Sequence, residues 1–208
     1  MPGAPTQIII EFDKIREGAV IMKDKSLRGI LMVSSLNFEL KSEEEQNAII
    51  WQFQNFLNSL DFSVQILIQT KRVNITGYLD KLKELEDKQE NELLKIQIGE
   101  YRKFIKELIG GGEIFTKNFF VVVPFHPLEL PGAKGKQEKV VKLDEDRFQR
   151  AKAQLWERME FVAMGLSRCG LQCHLLDSSQ IIELFWSLYH PEEAEVGYFP
   201  EVPPEIIK

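Results

Sequence analysis

The sequence predicts an α/β (α+β) fold: a two-layer sandwich in which a mixed β-sheet is covered by helices, with one long, partly projecting helix. Three observations carry this. Strand–helix–strand patterning occurs twice, over residues 28–71 and 119–176. The whole order is three strands, then helix–strand three times, then a last helix, as in layered α/β domains. The chain has 208 residues, 44% of them hydrophobic, enough to bury one proper core. A ferredoxin-like arrangement of the two halves fits this order, and the sequence leaves the strand order open.

The elements follow in turn. Gln7–Phe12 is a short apolar strand expected to pair with Ala19–Lys23 as a hairpin, and Asp24-Lys25-Ser26 reads as a turn into the next strand. In that strand Ile30, Met32, Ser34 and Leu36 alternate with Leu31, Val33 and Ser35. Both sets are largely apolar, as in an inner strand covered on both faces. Ser42 and Glu45 form a capping box, and Glu43–Glu45 suit the positive end of a helix. Ile49, Phe53, Phe56, Leu57 and Leu60 then make an apolar stripe at helical spacing. Val64, Ile66 and Ile68 mark a half-buried strand near a sheet edge.

Thr76–Ile109 reads as a long helix, apolar at both ends. Its middle, Glu86–Glu92, carries no apolar residue, so the helix either projects from the body or breaks in two. The lack of Gly or Pro between Gly77 and Gly99 favours projection. Gly110-Gly111-Gly112 ends it. Asn118–Val123 is a buried strand stopped by Pro124, and Phe125–Leu143 is a loop rich in Pro, Gly and Lys. Asp144–Arg168 is a helix with acidic residues at its start and a buried stripe of Phe148, Ala151, Leu155, Met159 and Val162. Cys169-Gly170 turns into the strand Leu171–Leu176. Asp177 or Ser178 caps a last helix that ends near Tyr189, before His190-Pro191. The layout is thus an N-terminal segment with the first strand (1–14), with Met1–Pro5 expected to be disordered, one α/β domain (15–190), and a Pro-rich tail (191–208).

The formal net charge is −6, which argues against a global electrostatic grip on nucleic acid. No apolar run reaches the length of a membrane-spanning helix, and MPGAPTQIII lacks the basic region of a signal peptide. The expected location is the cytoplasm. Two cysteines are too few for a disulfide framework.

Catalytic, cofactor and metal sites are all expected to be absent. A phosphate-binding loop needs Gly-x-x-x-x-Gly-Lys-Ser/Thr. Gly110–Lys117 lacks the second Gly beside the Lys, and Gly132–Gln137 lacks the spacing and the hydroxyl. Cys169, Cys173 and His174 invite a metal reading, but strand geometry points Cys173 and His174 to opposite faces. Buried thiols behaving as small apolar groups are the simpler account. His126 and Lys134, Lys136, Lys139 and Lys142 define a basic loop at 125–143 that could meet phosphate or DNA; a solvated loop is the simpler account. Trp51, Trp156 and Trp186 lie on helices as core or interface anchors. The last helix, IIELFWSLYHP, is apolar nearly all round and must be buried here or against a partner. Its Phe185, Trp186, Leu188 and Tyr189 are the candidate partner interface.

Several stretches together resemble the TraC-like domain, the amino-terminal domain of VirB/TraC-type ATPases of bacterial conjugation and type IV secretion. They are IREGAVIMKDKSLRGILMVSSLNFELKSEEEQ (15–46), QNFLNSLDFSVQILIQTKR (54–72), FFVVVPF (119–125) and GLQCHLLDSSQIIELFWSLYHP (170–191). The closing Leu188-Tyr189-His190-Pro191 is similar to the family's Leu-Tyr-Asn-Pro, with His for Asn. Lys25 stands where the family usually has a turn Gly, and the Lys-rich stretch 131–142 has no place in the family pattern. The ATPase domain that follows in the family is not in this sequence, so no catalytic residue carries over. The resemblance implies a non-enzymatic assembly or docking role, contacting the channel ATPase and small inner-membrane channel subunits, peripheral at the inner face of the membrane, with self-association open. The alternative is a small nucleotide-binding or DNA-transfer accessory protein using the loop at 125–143.

Overall fold

Alternating apolar residues in the first third of the chain form three consecutive antiparallel strands, at residues 12–16, 19–22 and 27–33. The computed structural model describes residues 11–72, 76–110, 115–127, 144–191 and 193. The elements are strands β1 (Phe12–Arg16), β2 (Ala19–Met22), β3 (Leu27–Val33), helix α1 (Glu43–Ser59), β4 (Gln65–Arg72), α2 (Thr76–Lys88), α3 (Glu92–Gly110), β5 (Phe115–Phe125), α4 (Glu145–Arg168), β6 (Cys173–Leu175) and α5 (Ser178–Tyr189). Met1–Pro5, the first residues of the expected strand at 7–12, the basic stretch 131–142 and the tail from 194 lie outside the described residues.

The six strands form one sheet in the order β1-β2-β3-β5-β4, with β6 also pairing β3. From β3 onward this interleaves the two strand–helix–strand units: β5 lies between β3 and β4, and β3 lies between β6 and β5. That is the split arrangement of ferredoxin-like folds. It explains why β3–β5 and β3–β6 are antiparallel, while β1–β2 and β2–β3 are antiparallel because short turns join them. Each helical crossover skips over a strand, so it does not create a parallel neighbour.

The chain divides into two units. The described part of the first comprises residues 11–68, 118–127 and 144–184. Its core lies between the sheet and helices α1 and α4. Leu27, Leu31, Val33, Val121, Val123 and Phe125 from the sheet meet Phe56 and the whole predicted α4 stripe. Phe148, Ala151, Leu155, Met159 and Val162 are each at most 1% exposed. Two glycines allow the layers to close. A Cβ on Gly29 would strike Met159, and one on Gly165 would strike Phe56. Val20, Ile30 and Phe120, at strand positions that alternate with that core, are buried as well, as are Ile181 and Leu184 of α5.

Several expectations shift by a few residues. Among the described residues the first hairpin pairs 12–16 with 19–22, and residues 7–10 of the expected strand lie outside them. Its turn is Glu17-Gly18, both at positive φ (49° and 74°), the primed geometry that matches strand twist. β3 stops at Val33, and Ser34 leaves the ladder to exchange hydrogen bonds with Gln172. β5 runs through Pro124, which pairs with Arg28. The capping box at Ser42 forms in full: Glu45 N donates to Ser42 Oγ at 3.3 Å and Ser42 N to Glu45 Oε2 at 3.0 Å. The α1 stripe is less buried than its spacing suggests. Phe56 is buried and Phe53 and Leu60 half-buried, while Leu57 is exposed. Ile66 and Ile68 of β4, expected on a half-buried face, are also exposed. β4 ends the sheet order, so it has no further strand beside it among the described residues.

The described part of the second unit comprises 69–72, 76–110, 115–117, 185–191 and 193. The expected single rod at 76–109 is two helices packed as a hairpin. The polar waist is the turn. Gln89 N closes onto Glu86 O, and the Asn91 side chain caps α3 by accepting from Leu93 N at 3.0 Å and Leu94 N at 3.4 Å. Hairpin packing half-buries the inner face of both helices, which a projecting rod would leave wet.

Candidate interaction surfaces

The start of α5 is fixed by a reciprocal cap. Gln180 N donates to Asp177 Oδ1 at 2.8 Å, and Asp177 N to Gln180 Oε1 at 2.9 Å. The Ser178 hydroxyl instead accepts the buried Gly18 N–H at 2.9 Å, holding the helix to the first turn. From there the apolar helix buries Ile181 and Leu184, and its last turn emerges.

The four residues singled out in the sequence divide at this point. Phe185 and Trp186 are half-buried, whereas Leu188 (41%) and Tyr189 (66%) are exposed. Trp186 stacks on His190 with ring centroids 3.8 Å apart and 16° between planes. The Trp186 Nε1 and His190 Nδ1 atoms are buried without a hydrogen-bond partner among the described residues. Ser187 accepts from Gln69 Nε2 at 2.9 Å. The four residues are therefore one helical turn with an anchored inner side and an open outer side.

Cys169 is buried and Cys173 half-buried, and burial pushes both thiols up. Cys173 packs against the main core, while His174 is exposed on the opposite face, with Nε2 3.3 Å from Gln180 Oε1. The strand geometry thus separates them as the sequence implied. His126 follows β5. The Asp24 carboxyl is pushed up by burial but held down on balance by bonds from the Ser26 hydroxyl (2.6 Å) and amide (2.8 Å). The lysines at 134–142 lie outside the described residues.

Residues 13–191 match the archaeal TraC-like domain family, which is most of the 208-residue chain. The chain belongs to this family. No curated protein matches the sequence. Membership gives the TraC-like domain a role related to conjugation or secretion. The match takes in the sheet, all five helices and the exposed turn of α5. No helix among the described residues is long and apolar enough to cross a membrane.

The TraC-like domain also exposes surfaces that sequence reading did not single out. On α1, Ile50 and Leu57 lie on the flank turned away from α4, while Gln52, Asn55 and Ser59 face it across a small cavity. At the far end of the first unit's sheet, Ile66 and Ile68 are exposed. The signal was present, since an edge strand with two isoleucines on one face needs a cover. A polar cluster sits elsewhere. Arg16 donates to both Glu145 oxygens at 2.8 Å, and Lys152 bridges Glu17 at 2.6 Å. Hydrogen bonding from Arg16, then from Gln149, holds the Glu145 carboxyl down to about 2.

Proposed function

We propose that this TraC-like domain is a non-enzymatic docking module of a conjugation or secretion apparatus. It holds the channel ATPase and small inner-membrane channel subunits in place and is peripheral to the membrane through them. The observation that carries this reading is the last turn of α5. Leu188 and Tyr189 stand open on a helix whose preceding turns are buried, beside the anchored Trp186–His190 stack. An aromatic pinned on one side and open on the other suits a contact residue, because little side-chain freedom is lost on binding.

The test is co-purification of the full chain with the separately expressed ATPase and channel subunits. The wild type should retain at least one of them, and Tyr189→Ala with Leu188→Ala should reduce retention at least tenfold while leaving the circular dichroism unchanged. A folded wild type that retains none of them ends the reading.

A further inference from the structure

The helical hairpin carries two seams on α3, one half-buried against α2 and one left exposed. The inner seam, Ile98, Arg102 and Ile105, is half-buried, as are Leu82 and Glu86 of α2. Arg102 Nη2 lies 3.0 Å from Glu86 Oε2, and Gly99 leaves room for that carboxylate. The outer seam is Leu94, Gln97, Tyr101, Phe104 and Leu108, at spacings of three, four, three and four residues. All five are exposed. Tyr78 and Leu85 of α2, seven residues apart, are exposed as well, and the Tyr78 hydroxyl lies 3.4 Å from that of Tyr101, so α2 extends the same face. A 3-4 spacing is the signature of helix-on-helix packing, and a helix with two such seams is built for two helical neighbours.

We propose that the outer seam takes the hairpin of a second copy of this chain, so that two hairpins close an isologous four-helix bundle. Three features favour a copy over another occupant. Leu94, Gln97, Ile98, Glu100, Tyr101 and Phe104 line an open depression, and Leu108 protrudes at 58% exposure farther along the same stripe. One surface thus supplies both hole and knob, as a two-fold contact requires. The apolar area is sufficient. Half-exposed side chains of this size leave roughly 100 Å² each, so the six apolar residues give on the order of 1,200 Å² for two copies, the lower range of specific interfaces. The charge permits it. Residues 76–110 hold seven basic and eight acidic side chains, a net charge of −1. Two copies repel weakly, and no basic excess draws anionic lipid or nucleic acid. The inference stands apart from the docking reading, because it uses a different surface and needs no apparatus subunit.

The experiment is light scattering coupled to gel filtration on the full chain at about 1–100 µM. The expected mass at the upper end is twice the 24.1 kDa of one chain. Phe104→Lys should return the monomer, and Trp51→Lys, on exposed α1 surface, should not. Tyr101→Cys should cross-link to its own copy under mild oxidation, whereas a cysteine in place of Trp51 should not. Circular dichroism, and a urea midpoint measured at the ~1 µM end of the range where the monomer prevails, certify that each variant is folded. A monomer throughout the range overturns the proposal. So does a dimer that survives Phe104→Lys, or a Phe104-dependent contact made only with a different protein or with phosphatidylglycerol vesicles.

Discussion

Single positions decide how closely the layers of this domain can approach. Gly165 lies under the Phe56 ring, and both are fixed by a packed α1–α4 contact. Gly165→Ala should therefore cost about 1–3 kcal/mol by overpacking, read as a lower urea midpoint; a midpoint at or above that of the wild type would show that the ring can step aside. Lys25 adopts φ 67°, the left-handed region that favours Gly. It keeps a bond to Asp13 at 2.7 Å, which lowers the Asp13 carboxyl and offsets part of the strain. A β-branched residue tolerates that backbone worst, so Lys25→Val should destabilise by about 1–3 kcal/mol, while Lys25→Gly should stay within about 1 kcal/mol of wild type. Glu145 gives a pH signature. Its carboxyl is held at about 2 against an ordinary 4.5, with Arg16 the main cause. A depressed carboxyl contributes stability above its unfolded value and loses it as pH falls through the folded one. The wild type should thus lose stability between pH 4.5 and 2, and Glu145→Gln should flatten that limb. Identical acid limbs would sever the link.

At the level of elements, legibility tracked locality. The α4 stripe and the Ser42 capping box were readable because a 3.6-residue period and a three-residue cap are local rules, and both are satisfied as written. Leu155→Ala should cost about 2–5 kcal/mol, since the side chain is fully buried in that stripe. The α2–α3 break was misread because a polar waist suits both a projecting rod and a turn. Asn91 followed by Glu92 was the available signal, an Asn cap with an acid in the first turn. Asn91→Ala should speed hydrogen exchange at the Leu93 and Leu94 amides about fivefold, the equivalent of about 1 kcal/mol; unchanged exchange would mean that the turn does not depend on this cap. The α1 stripe and the exposed Ile66 and Ile68 were over-read, because periodicity marks an apolar face without saying how much of it is covered.

For the whole molecule, the fold class was legible and the strand order was not. Order depends on which strands meet across long loops, and nothing local encodes that. The exposed turn of α5 was legible as an apolar helix end, whereas the outer seam of α3 was hidden by its reading as half of a single rod. The sheet order has one further result. β3 shares one of its edges between two segments from opposite ends of the chain: β2 pairs residues 27–28, and β6 pairs 31–33. A nascent polypeptide can therefore close its first hairpin early, but that edge stays half-open until Cys173–Leu175 has left the ribosome. Chains stalled before residue 171 should be digested by added protease at β3, whereas chains released beyond α5 should resist it.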